Sequence, residues 1–222
     1  MVKPEAKTPR ERYRAQVRTE IKERAWEQIA TAGASALSLN AIAKQLGMSG
    51  PALYRYYAGR DELITELVRD AYRSLADTFR TVAARPGADV TALAEALRTW
   101  ALADPHRYFL IYGTPVPGYH APDDITAIAS EIMAALLDAF ARQPSSGRET
   151  PFDAHLDEHR HWARDHPAPT AVLHRALTFW TRLHGTLSLE LAGHFTGMGF
   201  DPARYYAAEL DELTGPGADA TM

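Results

Sequence analysis

The 222-residue sequence predicts an all-α fold of about nine helices. Apolar residues recur every four positions in several windows: Ile21, Ala25 and Ile29; Leu63, Leu67 and Ala71; Ile132, Leu136 and Phe140. That period lines one face of an α-helix. No stretch alternates β-branched or aromatic residues with polar ones at period two, so no sheet is expected. Turn chemistry separates the windows, at Arg85-Pro86-Gly87, Thr114-Pro115-Val116-Pro117-Gly118, Gln143-Pro144-Ser145-Ser146-Gly147 and Pro167-Ala168-Pro169. No fixed-period repeat of the solenoid kind is present.

Composition narrows the function classes. The absence of Cys removes disulfide scaffolds, thiolate-bound zinc, iron–sulfur clusters and thiol nucleophiles. The N-terminus, Met1 to Arg18, is polar and lacks the apolar segment of a signal peptide. The most apolar stretch, Thr170 to Phe195, carries Arg175, Arg182, His184 and Glu190, too much charge for a membrane span. A cytoplasmic protein is therefore expected, with no membrane partner. The net charge of −4 conceals an asymmetry: residues 1–60 hold eleven basic and five acidic side chains, a net of +6, which leaves −10 for the rest. A basic head on an acidic body suggests a module that faces nucleic acid, joined to a module that does something else.

The head reads as a basic arm (1–14) followed by short helices. The first helix is expected from about Arg12 to Ala32, where Gly33 stops it. Ser38 caps a second helix, Leu39 to Leu46, which ends at Gly47. Ser49 caps a third, Gly50 to Tyr56, with Pro51 in its first turn, where a missing N–H costs nothing. Gly59 precedes Arg60-Asp61-Glu62, which open a longer fourth helix with acids in the first turn. Ala43, Leu46, Met48 and Leu53 would pack the second and third helices together.

Two short helices around a tight glycine turn have helix-turn-helix geometry, here over residues 38–57, whose second helix enters the major groove of double-stranded DNA. Arg55 suits guanine O6 and N7. Tyr54 and Tyr56 offer hydroxyls to phosphate and rings to thymine methyls, while Gly50 and Pro51 permit close approach. Ser38 and Arg60 stand at helix starts, where N–H groups favour phosphate, and Ser49 joins the side chains that decorate the third helix. Arg10, Arg12, Arg14 and Arg18 add charge along the backbone.

Segment 15–75 resembles the DNA-binding domain of the TetR family of bacterial transcriptional regulators. The residues that carry the resemblance are Leu39-Asn40-Ala41-Ile42-Ala43-Lys44-Gln45-Leu46-Gly47-Met48-Ser49, then Gly50-Pro51-Ala52-Leu53-Tyr54-Arg55-Tyr56-Tyr57, with Asp61-Glu62-Leu63 at the expected distance. Tyr57 stands where the family pattern usually has Phe, and Gly59 near positions of Ser, Asn or Lys. Phe179-Trp180-Thr181-Arg182-Leu183-His184-Gly185, followed by Leu189 to Phe195, is similar to the C-terminal domain of a subgroup with a Trp…His-Gly signature in the penultimate helix. Ala103-Asp104-Pro105-His106-Arg107-Tyr108 and Pro115-Val116-Pro117 are similar to its earlier helices. The resemblance implies an effector-binding and dimerisation domain over 85–214, with a flexible tail over 215–222.

Within that domain the aromatics Trp100, Tyr108, Phe109, Tyr112, Phe140 and Trp180, with His106, His120 and His184 as polar groups, fit a small-molecule pocket or an ordinary core. Leu173, Leu177, Leu187 and Leu191, with Tyr205 and Leu210 on the last helix, make a stripe expected at a two-fold subunit interface. The run His155-Leu156-Asp157-Glu158-His159 matches the H-x-x-E-H signature of some zinc peptidases, with both histidines on one helical face and Glu158 as the base. No third ligand is evident, and a solvated helix without metal or cofactor is the expectation. Gly193, Gly197 and Gly199 follow a helix rather than a strand and complete no phosphate loop. The expected function is a homodimeric repressor released from a palindromic operator by a small-molecule effector. The alternatives are an activator, or a metal-dependent hydrolase using His155, Glu158 and His159.

Overall fold

Helix α1 (Pro9–Ala32) begins three residues earlier than the apolar period suggests, because its start is set by a polar device. Thr8 and Glu11 form a reciprocal capping box and Pro9 occupies the first turn. Only Val17, Ile21, Ala25 and Ile29 are buried along its length, the four-residue stripe of the sequence. The computed structural model describes residues 8–143, 150–164 and 166–215. Residues 1–7 of the expected basic arm, 144–149 with most of the Pro-Ser-Gly turn, and 216–222 of the expected tail lie outside the described residues. The chain divides into two units, one reaching Ala71 and including Phe109–Pro122, the other comprising Tyr72–Tyr108 and the chain from Asp123 onward.

The first unit holds α1, a 3-10 turn (Ala34–Ala36), α2 (Leu39–Gln45), α3 (Gly50–Leu53) and the start of α4 (Arg60–Ala83). Leu37, Leu39, Ile42, Leu53, Tyr57, Leu63, Ile64 and Leu67 close its core with the α1 stripe. Each such large side chain contributes about 1.5–3 kcal/mol on burial.

The second unit holds α5 (Val90–Ala103), the start of α6 (Pro105–Tyr112), α7 (Asp123–Ala141), α8 (Pro151–Glu158), a 3-10 turn (Arg160–Ala163), α9 (Thr170–Leu191) and α10 (Pro202–Thr214). Side chains cap three of them: Asp89 accepts from Ala92, Asp201 from Ala203, and Thr150 forms a capping box with Asp153. Central α9 touches α5, α7, α8 and α10. Phe140 and Phe179 meet edge to face at 5.3 Å between centroids. The described residues contain ten α-helices and no strand. None of these helices is long and apolar enough to cross a membrane.

Because α9 is surrounded on so many sides, the leucine stripe expected at a subunit interface needs correction. Leu173 and Leu187 are 0% exposed and Leu210 is buried too, so none has appreciable area to lose to a partner. Leu177 and Leu191 are half-buried and Tyr205 is exposed. The large apolar side chains left exposed in this unit are Leu102, Phe152, Leu189, Met198, Phe200 and Tyr205, of which the last four line one groove.

Candidate nucleic-acid interface and effector region

Local chemistry builds the helix-turn-helix. The Ser38 hydroxyl accepts from the Ala41 N–H, and the Ser38 N–H donates to Gln28 Oε1 at 2.9 Å, which ties the α2 cap to α1. After Gln45 the chain reverses through Gly47, whose φ of +64° suits glycine. The Met48 N–H then donates to the Ala43 carbonyl at 2.9 Å. A Cβ on Gly50 would lie 3.5 Å from Asn40 Oδ1, so α3 starts in close contact with α2.

The third helix is shorter than its sequence predicts. Helical geometry ends at Leu53, and Tyr54 to Tyr56 continue as a tight turn in which the Tyr56 N–H donates to the Leu53 carbonyl at 2.8 Å. Ser49 is the N-cap residue by backbone geometry, yet its hydroxyl makes no capping bond. Ser49, Pro51, Tyr54 and Arg55 are exposed, Gly50 and Tyr56 half-buried. Arg14 is exposed as well, with Nη2 donating to the Arg55 carbonyl at 3.3 Å and the guanidinium 5.9 Å from the centre of the Tyr56 ring. Arg14, Arg55 and Tyr56 are thus brought together.

Two expected phosphate ligands are engaged elsewhere. Arg60 donates through Nη2 to the carbonyls of Ala34 and Ser35, at 3.0 and 3.2 Å, and so closes the 3-10 turn against the start of α4. Arg18 pairs with Glu66 and donates to the Tyr56 carbonyl. Carbonyls at element ends compete for these guanidinium donors, and such long-range partners are invisible in local sequence. Tyr13 is an exposed residue of the same unit outside any motif, whereas Asn40 and Lys44, also exposed, lie within the run that carries the family resemblance but were given no role. Their position opposite the buried residues of α1 and α2 was the available signal.

Tyr57 is fully buried, with the Arg18 guanidinium 4.3 Å above its ring, and burial pushes its phenol pKa up. The Glu66 carboxylate lies close enough to the hydroxyl to add to that rise, but the hydroxyl makes no hydrogen bond of ordinary geometry. Substituting Tyr57→Phe is therefore expected to be neutral or stabilising by up to about 1 kcal/mol. Chemical denaturation checks this, and a destabilisation above that size would show a hidden partner for the hydroxyl.

In the second unit the expected pocket residues are placed unequally. Tyr108 is fully buried, with its hydroxyl 3.0 Å from His184 Nδ1 and 2.9 Å from Ser188 Oγ. The Trp180 and His184 rings lie 4.2 Å apart. Trp100 Nε1 donates to Ser74 Oγ at 3.0 Å, and Arg107 stacks 4.6 Å above the Trp100 ring, where burial lowers its pKa. Phe140 belongs to the core against Phe179, and His106 is exposed. Phe109, Tyr112 and His120 fall in the first unit, the first two half-buried and His120 exposed. A groove of about 310 Å³ opens instead among Thr186, Leu189, Phe195, Met198, Phe200 and Tyr205.

Burial pushes the His184 pKa down to about 3. Above about pH 6.5 the folded and unfolded states are both neutral at this ring. Below it, the unfolded chain takes a proton that the folded state refuses. Stability should fall toward pH 3 by about 1.4 kcal/mol per pH unit from this group alone. Comparing urea denaturation of the parent chain and His184→Gln between pH 7.5 and 4.5 tests the sign. Parallel pH profiles would contradict it.

The H-x-x-E-H run is not helical to its end, although its two histidines lie side by side. α8 ends at Glu158, and His159 adopts φ −123° and ψ 40° beyond it. His159 Nδ1 lies 2.8 Å from the His155 carbonyl, and the two rings stack at 4.2 Å. The nearby Asp153 carboxylate is buried and bonded to His174 Nδ1 at 2.8 Å. Burial alone would raise the Asp153 pKa, but bonds from Thr150 and His174 hold it below the usual range. Among the described residues no group of three or more His, Asp or Glu could hold a metal ion.

A capped, glycine-turned pair of short helices that presents Ser49, Pro51, Tyr54 and Arg55 from a basic unit defines a helix-turn-helix DNA-binding protein. Comparison with known proteins makes the class specific. Residues 21–67 match the family model for bacterial regulatory proteins of the tetR family, and residues 90–213 match the tetracyclin repressor-like C-terminal domain. The chain is 38% identical over 211 residues to the HTH-type transcriptional regulator Mb1846 of Mycobacterium bovis, across 88% of this chain and 90% of that one. It is 71% identical to a crystallised chain designated regulatory protein SCO4313, with a TM-score of 0.87 over 94% of this chain and 100% of that one. A TetR-family transcriptional regulator from Bordetella parapertussis shares the fold at 15% identity, with a TM-score of 0.59 over 93% and 98% of the two chains. The chain belongs to the TetR family and is a DNA-binding transcriptional regulator.

Proposed function

We propose that this regulator is a cytoplasmic, homodimeric repressor that binds a palindromic operator and is released by a small-molecule effector. It acts by binding rather than by catalysis. The observation that carries the dimer is the uncovered apolar surface of the second unit: Leu189 at 45% exposure, Met198 at 63%, Phe200 and Tyr205 at 42% each. Four large apolar side chains clustered near one helix connection are costly to leave in water and suit a second copy of the chain. Two copies would then present two recognition segments to successive major-groove faces, which reads a palindrome.

Effector binding is assigned to the second unit, around Trp100, Tyr108, Trp180 and His184. Buried polar groups beside aromatic faces are the lining that small-molecule sites use. Tyr108, His184 and Ser188 offer hydrogen bonds, and Arg107 on Trp100 offers a cation. α4 is the conduit, because its residues belong to both units. An effector that prefers one setting of α4 would weaken operator binding by the usual coupling of about 1–3 kcal/mol.

Sedimentation of the full chain with a labelled operator duplex, repeated over a panel of small apolar and acidic compounds, tests this reading. Two chains per duplex and saturable release by one compound class support it. A single chain per duplex overturns the dimer. Release by no compound that binds the free protein overturns the effector.

A further inference from the structure

We infer that Glu66 and Arg18 form a strut that positions the recognition segment from α4, which makes Glu66 a positioning residue for operator reading. The inference rests on the recognition role of residues 49–56. It starts from the backbone. The α3 helix is only four residues long, and the N–H groups of Arg55, Tyr56 and Tyr57 turn back to the carbonyls of Ala52 and Leu53. The carbonyls that follow must find donors elsewhere. Two arginines of α1 supply them: Arg14 Nη2 reaches the Arg55 carbonyl at 3.3 Å, and Arg18 Nη1 reaches the Tyr56 carbonyl at 2.8 Å.

Arg18 is held from its other side. Its Nη2 donates to Glu66 Oε2, and Lys22 Nζ lies 3.3 Å from Glu66 Oε1. Burial would raise the Glu66 pKa, but the bond and charge of Arg18, helped by Lys22, hold it below the usual carboxylate range. The carboxylate therefore stays ionised, and one guanidinium fork spans a side chain of α4 and a recognition-turn carbonyl. A lysine, with one compact charge, does not span both. Any shift of α4 along α1 would drag Arg18, and with it the Tyr56 carbonyl. A second ion pair joins the same helices without touching the recognition backbone: Lys22 Nζ to Asp70 Oδ2 at 2.7 Å. Asp70 is thus an internal control for mere helix docking.

The test uses the full chain with Glu66→Ala, Glu66→Gln, Arg18→Lys and Asp70→Ala. Two readouts are taken: amide exchange of residues 54–57 in the free protein, and the ratio of affinities for a duplex selected from a random pool against a scrambled duplex. Losing a charge-assisted bond predicts about tenfold faster exchange and about a tenfold lower ratio in Glu66→Ala and Arg18→Lys. Glu66→Gln keeps an acceptor and should recover most of both. Asp70→Ala should leave both unchanged after correction for stability. The strut is overturned if Asp70→Ala lowers the ratio as much as Glu66→Ala, or if Glu66→Ala leaves exchange and ratio at parent values. Should Glu66→Ala fail to fold, Arg18→Lys decides by the same two readouts. A parent chain that discriminates no duplex would overturn the operator reading instead, and the exchange data would still decide the strut.

Discussion

An Arg55→Ala chain should lose operator affinity while keeping its affinity for random duplex. Arg55 is exposed on the turn that follows α3, and its own carbonyl is held by Arg14, so the side chain projects from an anchored backbone. A bidentate pairing with guanine carries about 1–3 kcal/mol of discrimination, or roughly 5- to 150-fold in the ratio of specific to non-specific binding. The stability of the free protein should not change, since the side chain is solvated. Titration of parent and variant on both duplexes checks this. An equal loss on both would mean that Arg55 touches phosphate only. Arg12→Ala provides the contrast: Arg12 is exposed on α1, and removing a phosphate-binding cation there should weaken all duplexes together and reduce the salt dependence.

The second large effect is expected at Leu189. It is 45% exposed on α9 beside Met198, Phe200 and Tyr205, so Leu189→Asp costs the isolated subunit little. In a two-fold interface the same substitution buries like charges against each other without partners. The variant should sediment as a monomer with parent-like helix content. Its operator affinity should fall by about 10²- to 10⁴-fold, the gain that linking two half-site readers supplies. A stable Leu189→Asp dimer would move the interface away from the connection between α9 and α10.

What was legible in the sequence was local. The Ser38 cap, the Gly47 turn, the acids at the start of α4 and the four-residue stripes of α1 and α7 all follow from neighbours within a few positions. Partnerships across the chain were not legible. Arg18 finds Glu66 48 residues away, and Arg60 finds the Ala34 carbonyl 26 residues back, so both looked like free cations in one dimension. The early end of α3 was hidden because Tyr54, Arg55 and Tyr56 are compatible with helix, and the donors that hold the Arg55 and Tyr56 carbonyls beyond it come from α1.

The interface leucines show the same limit from the opposite direction. Leu173 and Leu187 read correctly as apolar, but which face of α9 meets its own unit depends on how α5, α7, α8 and α10 surround it. Pocket residues split likewise. Burial singles out Tyr108 and leaves His106 and His120 in solvent, a distinction that residue type cannot make.

Selection of duplexes bound by the full chain from fragmented genomic DNA, at two salt concentrations, tests the central claim most directly. The account predicts recovery of a palindrome with half-sites about one helical turn apart, enriched at both salts. Binding that recovers no common sequence and collapses at the higher salt would contradict it, because phosphate binding alone would then explain the affinity.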